Sequence, residues 1–391
     1  MFLMNSDLKK LFLLQSVFLS ITGYSTIFIS YYFWKNSTTL GPLIAFNGLS
    51  YFLSCFAYTI GTYYLFKNKL KTSYYLSALS AIILFIVLLL SPYLNHIVLL
   101  VIAATCFGCV FGFFYSSSNY ALSVLSTRSE LDIFNSRIGY VKNILMIILP
   151  LINSFFIYYF NFAVSFCFML LISIFYFVAV TKMPSIEAEF KSNFVHDYKT
   201  VKVSKQMVPF GIITAGVLEC MACLQVILMV VLSKNALYVS YLNVLNIVVL
   251  TIGIMYISRL KKLKMETQFV IFTLISMAFI LLTGFAQLKP LYFVAMVGLV
   301  ISVYVYGYTM DNTFFRYLNG MKKEVQIVIL LKREFLITLG RSIIYLLLYL
   351  FVQSIHSPYL PYLSLGVMLV LVYSLIRFRR FDHEQEQKLA G

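Results

Sequence analysis

Lys142-Asn-Ile-Leu-Met-Ile-Ile-Leu-Pro-Leu151 and Arg341-Ser-Ile-Ile-Tyr-Leu-Leu-Leu-Tyr-Leu350 are the two stretches on which the reading of this chain turns. Each carries a single cation at the head of a mostly apolar stretch. They stand 199 residues apart (341 minus 142), close to half of the 391-residue chain. A second match lies further out. Lys67-Asn-Lys-Leu-Lys71 and Arg259-Leu-Lys-Lys-Leu-Lys264 follow apolar runs of similar length, at an offset of 193 (264 minus 71). Matching basic loops and matching intramembrane cations at the same ordinal run predict a chain built from two similar halves, a transporter signature.

The composition requires a membrane. Hydrophobic residues make up 61% of the chain and charged residues 11%, against roughly 25% charged in soluble domains. A soluble fold could not hide that much apolar surface, and a disordered chain would be polar. The excess of 30 Lys+Arg over 14 Asp+Glu reads as the positive-inside bias of cytoplasmic loops rather than as a nucleic-acid footprint. No nucleic-acid partner is expected.

Cutting the chain at polar breaks gives twelve apolar runs: 11–34, 41–66, 72–91, 97–125, 138–160, 163–181, 207–233, 239–258, 267–287, 290–318, 325–353 and 359–376. Each is near the ~20 residues a bilayer core requires, and all are too continuous for β-barrel strands. The first run is too long for a signal-peptide core and lacks a small-x-small cleavage pattern, so it is expected to be retained. The longest break, Lys182 to Gln206, is polar and carries five lysines. The expected organisation is an N-terminal six-helix bundle over 1–181, a cytoplasmic linker over 182–206, and a C-terminal six-helix bundle with a short tail over 207–391. With both termini inside, 25 of the 30 cations face the cytoplasm, which sets the orientation in a plasma membrane.

Polar residues are unevenly spread. Spans three, six, nine and twelve carry no charge, Asn or Gln in their interiors. The other eight do: Gln15, Asn47, Asn119, Lys142, Asn143, Asn153, Glu219, Gln225, Asn243, Asn246, Asp311, Asn312 and Arg341. Such groups are expensive in lipid and turn towards protein or a wet cavity. Every third helix is therefore expected to face lipid.

Twelve spans, two six-span halves, a basic central loop and a lipid-facing third helix in each triplet resemble the major facilitator superfamily. The resemblance covers nearly the whole chain. The family's Gly-x-x-x-Asp-Arg-x-Gly-Arg-Arg/Lys motif, joining spans two and three, is matched in degraded form. Gly61 begins it and Lys67, Lys69 and Lys71 supply its basic part, while Leu65 takes the acidic position and Asn68 the second glycine. The resemblance implies an all-α polytopic protein of twelve transmembrane helices in two pseudo-symmetric bundles, moving small molecules by alternating access. It also implies that the first helix of each triplet lines the cavity and that the second forms the seam between the halves.

Glu219 is the sharpest single residue. Twelve residues into its span, at about 1.5 Å each, it lies near the midplane. An acid there is a candidate proton carrier, or else half of a structural ion pair. Arg341, in the same half, could hold Glu219 with two hydrogen bonds or hold an anionic group on a substrate. Gln225, Asn243, Asn246, Asn119 and Lys142 complete the expected substrate contacts, with snorkelling as the alternative for Lys142. Asp311 and Arg316, with Gly61 and Lys67, are the expected gate residues. Gly108-x-x-x-Gly112 reads as a close-packing pattern, and Pro150 as a kink or hinge.

Nothing in the sequence indicates an enzyme. The four His lie in loops or the tail, no P-loop is present, and no cofactor is expected. The pairs Cys106/Cys109 and Cys220/Cys223 lack the further ligands a metal needs. The functional expectation is a monomeric, proton-coupled exporter of an amphipathic small molecule, drug or peptide, in contact with membrane lipids. A lipid or glycolipid flippase and a non-transporting receptor or immunity protein on the same scaffold are the alternatives.

Overall fold

The computed structural model describes residues 6–37, 39–67, 69–125, 128–183, 198–201, 207–233, 235–260, 265–285, 289–318, 323–354 and 357–373. These residues are almost entirely helical. α1 comprises Ser6–Tyr24, a π-helical turn at Ser25–Ile29, and Ser30–Lys35. Then follow α2 (Gly41–Phe66), α3 (Leu70–Leu89), α4 (His96–Leu125), α5 (Arg128–Tyr159) and α6 (Phe162–Thr181). Beyond the central break come α7 (Met207–Leu232), α8 (Ala236–Leu260), α9 (Met265–Phe285), α10 (Lys289–Leu318) and α11 (Lys323–Phe351). A last helix, α12, spans Leu360–Tyr373.

Eight of these helices, α1 to α7 and α11, are long and apolar enough by length and composition to cross a membrane. In the others the apolar stretch among the described residues is shorter: Ala236–Ile252, Thr273–Gly284, Pro290–Tyr304 and Leu360–Tyr373. The chain is a multi-pass membrane protein.

The breaks are capped by local chemistry. Asn161 Oδ1 accepts from Val164 N–H at 3.1 Å, Asn235 Oδ1 from Tyr238 N–H at 3.1 Å, and Asn95 Oδ1 from Ile97 N–H at 2.9 Å. Each starts a helix by satisfying an orphan donor of its first turn. Inside the helices, hydroxyls that would otherwise be stranded in an apolar setting return to their own backbone. Thr22 donates to Phe18 O, Ser50 to Phe46 O, Thr62 to Tyr58 O and Ser173 to Met169 O. This removes most of the cost of carrying Ser and Thr in lipid.

The described chain forms two compact units: Met1–Thr38, Ala45–Thr200 and Asn235–Tyr241 in the first, and Thr39–Ile44, Val201–Lys234 and Leu242–Gly391 in the second. Most of the linker expected at 182–206 lies outside the described residues.

In the first unit, α3 packs on α4 and α6, and α1 packs on α5 and α6. The Gly108 and Gly112 pattern of α4 meets the backbone of α2. A Cβ on Gly108 would lie 2.5 Å from Ser50 O, and one on Gly112 would lie 2.7 Å from Tyr58 N. This is the close-packing role that the spacing suggests. Buried rings fill the remainder, with Phe18 stacked on Phe114 at 3.6 Å between centroids and Phe46 on Phe107 at 5.6 Å. A buried polar chain ties three helices together. Tyr24 OH and Ser165 Oγ are 2.9 Å apart, and Ser165 donates to Asn153 Oδ1 at 2.8 Å. Asn153 of α5 is thus a structural tie. α5 runs on through Pro150, whose carbonyl accepts from Ser240 Oγ at 2.7 Å.

In the second unit, α7 packs against α10 and α11, and α9 packs on α10. Gly340 of α11 and Gly216 of α7 set the α7–α11 crossing. A Cβ on Gly340 would run into the Ile212 carbonyl oxygen and would lie 3.0 Å from Gly216 N. The two backbones touch there, and no larger residue fits between them.

Candidate functional site

The close approach of α7 and α11 brings Glu219 and Arg341 together. Glu219 is buried, with 5% of its surface exposed. Arg341 Nε donates to its Oε2 at 3.0 Å, and Tyr345 OH donates to its Oε1 at 2.9 Å. Both carboxylate oxygens are therefore held, one by a charge and one by a hydroxyl. The Arg341 side chain is 23% exposed, and its Nη1 also lies 3.8 Å from Glu334. Arg341 thus has two acids within reach, one buried against α7 and one a short way down its own helix.

Sequence reasoning put Glu219 and Arg341 on the same half but missed Tyr345. The signal was present: Tyr345 follows Arg341 by four residues, the spacing that puts two side chains on one helical face. Gly216 and Gly340 were missed as well, because a glycine pair split between two helices has no spacing to read.

The remaining candidates fall in different places. Asn243 is buried on α8. Asn246, one turn on, is buried with neither amide atom hydrogen-bonded among the described residues. A buried amide with no partner is expensive and calls for a water or a ligand group. Gln225 is half-buried on α7. In the first unit, Asn119 is half-buried on α4 and Lys142 is exposed on α5. Asp311 and Arg316 belong to α10, but their side chains lie outside the described residues.

Gly61 and Lys67 sit where α2 meets its neighbours. A Cβ on Gly61 would run into Ser116 Oγ of α4, and Ser73 Oγ of α3 donates to Gly61 O at 3.3 Å. Leu65, at the position where the resembled motif has its acid, is fully buried. Lys67 Nζ lies 4.6 Å from the centre of the Tyr63 ring, a cation–π contact. Lys71, read from sequence only as part of the basic loop, has a defined task. Its Nζ donates to Thr181 O at 2.8 Å and to Met183 O at 3.0 Å. These are orphan carbonyls at the end of α6, so the start of α3 holds the exit of α6. The second unit has a comparable clasp, with Lys332 Nζ donating to Val201 O at 2.5 Å just before α7.

Two cavities of the second unit lie beside the pair. One of about 390 Å³ is lined by Ile344, Leu347 and Phe351 of α11 and by Leu363 and Val367 of α12. The other, about 210 Å³, continues it past Gly216 and Gly340. Both are apolar.

No family model matches the sequence, and no curated protein matches it. Solved structures do. A point mutant of the peptide transporter POT, determined in complex with alafosfalin, superposes with a TM-score of 0.71 at 12% identity, covering 96% of this chain and 94% of that one. The nucleoside transporter NupG superposes with a TM-score of 0.65, also at 12% identity, covering 97% of this chain and 99% of that one. Agreement over nearly the full length of both chains at so low an identity is agreement of architecture, and this chain has the fold of the major-facilitator-type transporters.

Proposed function

We propose that the protein is a secondary active transporter working by alternating access, and that it exports an amphipathic small molecule, drug or peptide, driven by a proton gradient. The observation that carries this reading is the Glu219–Arg341–Tyr345 cluster, a buried acid with both oxygens held, halfway along a helix of a transporter fold. Ionisable groups in such a position mark ion or substrate pathways. Glu219 is the proposed proton site. Protonating it would cancel its charge and release Arg341 towards Glu334 or a substrate anion. Gln225, Asn243, Asn246 and Asn119 supply amides for the polar part of the substrate, and Asp311, Arg316, Gly61 and Lys67 are the proposed gate.

The test uses purified protein in liposomes with an imposed pH gradient. Movement of an amphipathic fluorescent substrate that collapses when the gradient is dissipated is the expected result. A folded protein that moves nothing under any gradient would favour the receptor or immunity reading.

A second reading, lipid or glycolipid flipping, draws support from the apolar groove between α11 and α12, which has the volume for part of an acyl chain. Faster exchange of a short-chain fluorescent phospholipid between leaflets, with no response to pH, would select it.

Orientation is testable separately. The cation distribution supports a cytoplasmic position for both termini and the central linker. A reporter fused after Lys191 should read cytoplasmic and one after Asn95 external. The reverse pattern would overturn the orientation.

A further inference from the structure

The Glu219–Arg341 pair has a counterpart in the first unit, and that counterpart is incomplete. The 199-residue offset carries Arg341 to Lys142, Tyr345 to Met146 and Glu219 to Ser20. Packing fixes the same register. Phe12 of α1 meets Phe134 of α5 edge-on at 5.8 Å between centroids, and a Cβ on Gly23 would lie 2.7 Å from Met146 Sδ. These two contacts join residues 122 and 123 apart, and Glu219 and Arg341 are 122 apart (134 minus 12, 146 minus 23, 341 minus 219).

Interpolated between them, Lys142 lies level with Leu19 and Ser20, near the middle of α1. The pairing expected there is missing. The Ser20 hydroxyl is turned back to Ser16 O at 3.0 Å. The one acid of α1, Asp7, is bound to Lys10 at 2.9 Å near the start of the helix. Among the described residues no carboxylate forms an ion pair with Lys142, and its side chain is exposed.

A cation set within a membrane helix is costly unless something neutralises it. In the second unit Glu219 does so. In the first, the described chain supplies nothing. The geometry points to Lys142 as the site that receives an anionic group, a carboxylate or phosphate, carried by the transported molecule. The substrate is then an amphipathic anion, its charge completing at Lys142 the pair that Glu219 completes at Arg341. This assignment rests on the transporter reading and narrows its substrate class.

The test compares two probes that differ only in charge, dansyl-leucine and dansyl-leucinamide. Binding is read from dansyl fluorescence on the protein in phosphatidylcholine nanodiscs. The acid should bind at least tenfold more tightly than the amide, the scale of one hydrogen bond to a charged group. Lys142→Gln should abolish that preference and Lys142→Arg should keep it. Ser20→Glu, which installs the missing carboxylate, should abolish it as well, and it reaches the same result without touching Lys142.

Adding phosphatidylglycerol distinguishes the two sources of anion. Loss of the acid preference only in its presence assigns the anion to a lipid headgroup, and persistence assigns it to the soluble molecule. Equal binding of acid and amide by the native protein, or a preference that survives Lys142→Gln, overturns the proposal while leaving an amphipathic transporter standing. Binding of neither probe counts against the amphipathic-substrate reading and this assignment together.

Discussion

Glu219→Gln protein is expected to reach the membrane folded but less stable, and to lose gradient-driven transport while retaining exchange between two pools of substrate. Gln keeps the size of Glu and can still accept from Tyr345, but it cannot ionise. Arg341 then keeps its charge against an amide. Breaking a fully buried ion pair from one side costs roughly 3–5 kcal/mol. Arg341 is 23% exposed and lies 3.8 Å from Glu334, so a loss of about 2 kcal/mol is expected, the lower figure reflecting this partial relief. It would be read as a lower midpoint of thermal or denaturant unfolding in detergent. Two further variants separate stability from coupling. Glu219→Gln combined with Arg341→Gln removes the stranded charge and should recover most of the stability, as coupled neighbours do in a double-mutant cycle, yet remain uncoupled from the gradient. Adding Glu334→Gln to Glu219→Gln takes away the second acid and should deepen the loss. Native stability together with full gradient-driven transport by Glu219→Gln would remove Glu219 from both roles, leaving Asp311 as the next acid to test.

Gly340→Val is expected to be strongly damaging to the second unit. The added Cβ meets the Ile212 carbonyl oxygen, a backbone atom, and lies 3.0 Å from Gly216 N. A flexible side chain could turn aside, but a helix backbone cannot. α7 and α11 would have to separate, losing their contact and pulling Arg341 away from Glu219. Overpacking typically costs about 1–3 kcal/mol, and a backbone clash belongs at the upper end. The expected observation is a protein that is poorly recovered or aggregated on extraction. Gly340→Ala, which adds the Cβ alone, should fall between it and the native chain. A Gly340→Val protein with native stability would show that the crossing tolerates separation and that the glycine is not what holds the pair in register.

The architecture was legible because membranes impose a coarse code. Long, continuous apolar runs that fold as helices are forced by lipid, and they are read without any knowledge of contacts. The Glu219–Arg341 meeting was half legible. Both residues stood out as charges in apolar runs, but only the α7–α11 crossing, set by Gly216 and Gly340, decides that they touch. Lys71 shows the limit from the other side. Its charge was read as orientation, whereas its ammonium holds the end of α6. A lysine in a cytoplasmic loop satisfies the charge rule whether or not it also caps a helix, so composition cannot separate the two tasks. The same ambiguity covers Asn153, a polar residue whose amide donates to Leu149 O and accepts from Ser165.

The touching backbones of α7 and α11 also set a clock. With no space between Gly340 and the 212–216 turn, the two helices cannot slide or part without a large penalty, so they travel as one body. Any opening of the Glu219–Arg341 pair then falls to side-chain torsions alone. Rotamer changes take picoseconds to nanoseconds where side chains are free, while helix-scale rearrangements take microseconds to milliseconds. Proton arrival at Glu219 would be answered long before the frame around it moves. Relaxation at Arg341 should therefore be fast, and under the proposed transporter function the slow steps would reside elsewhere in the protein.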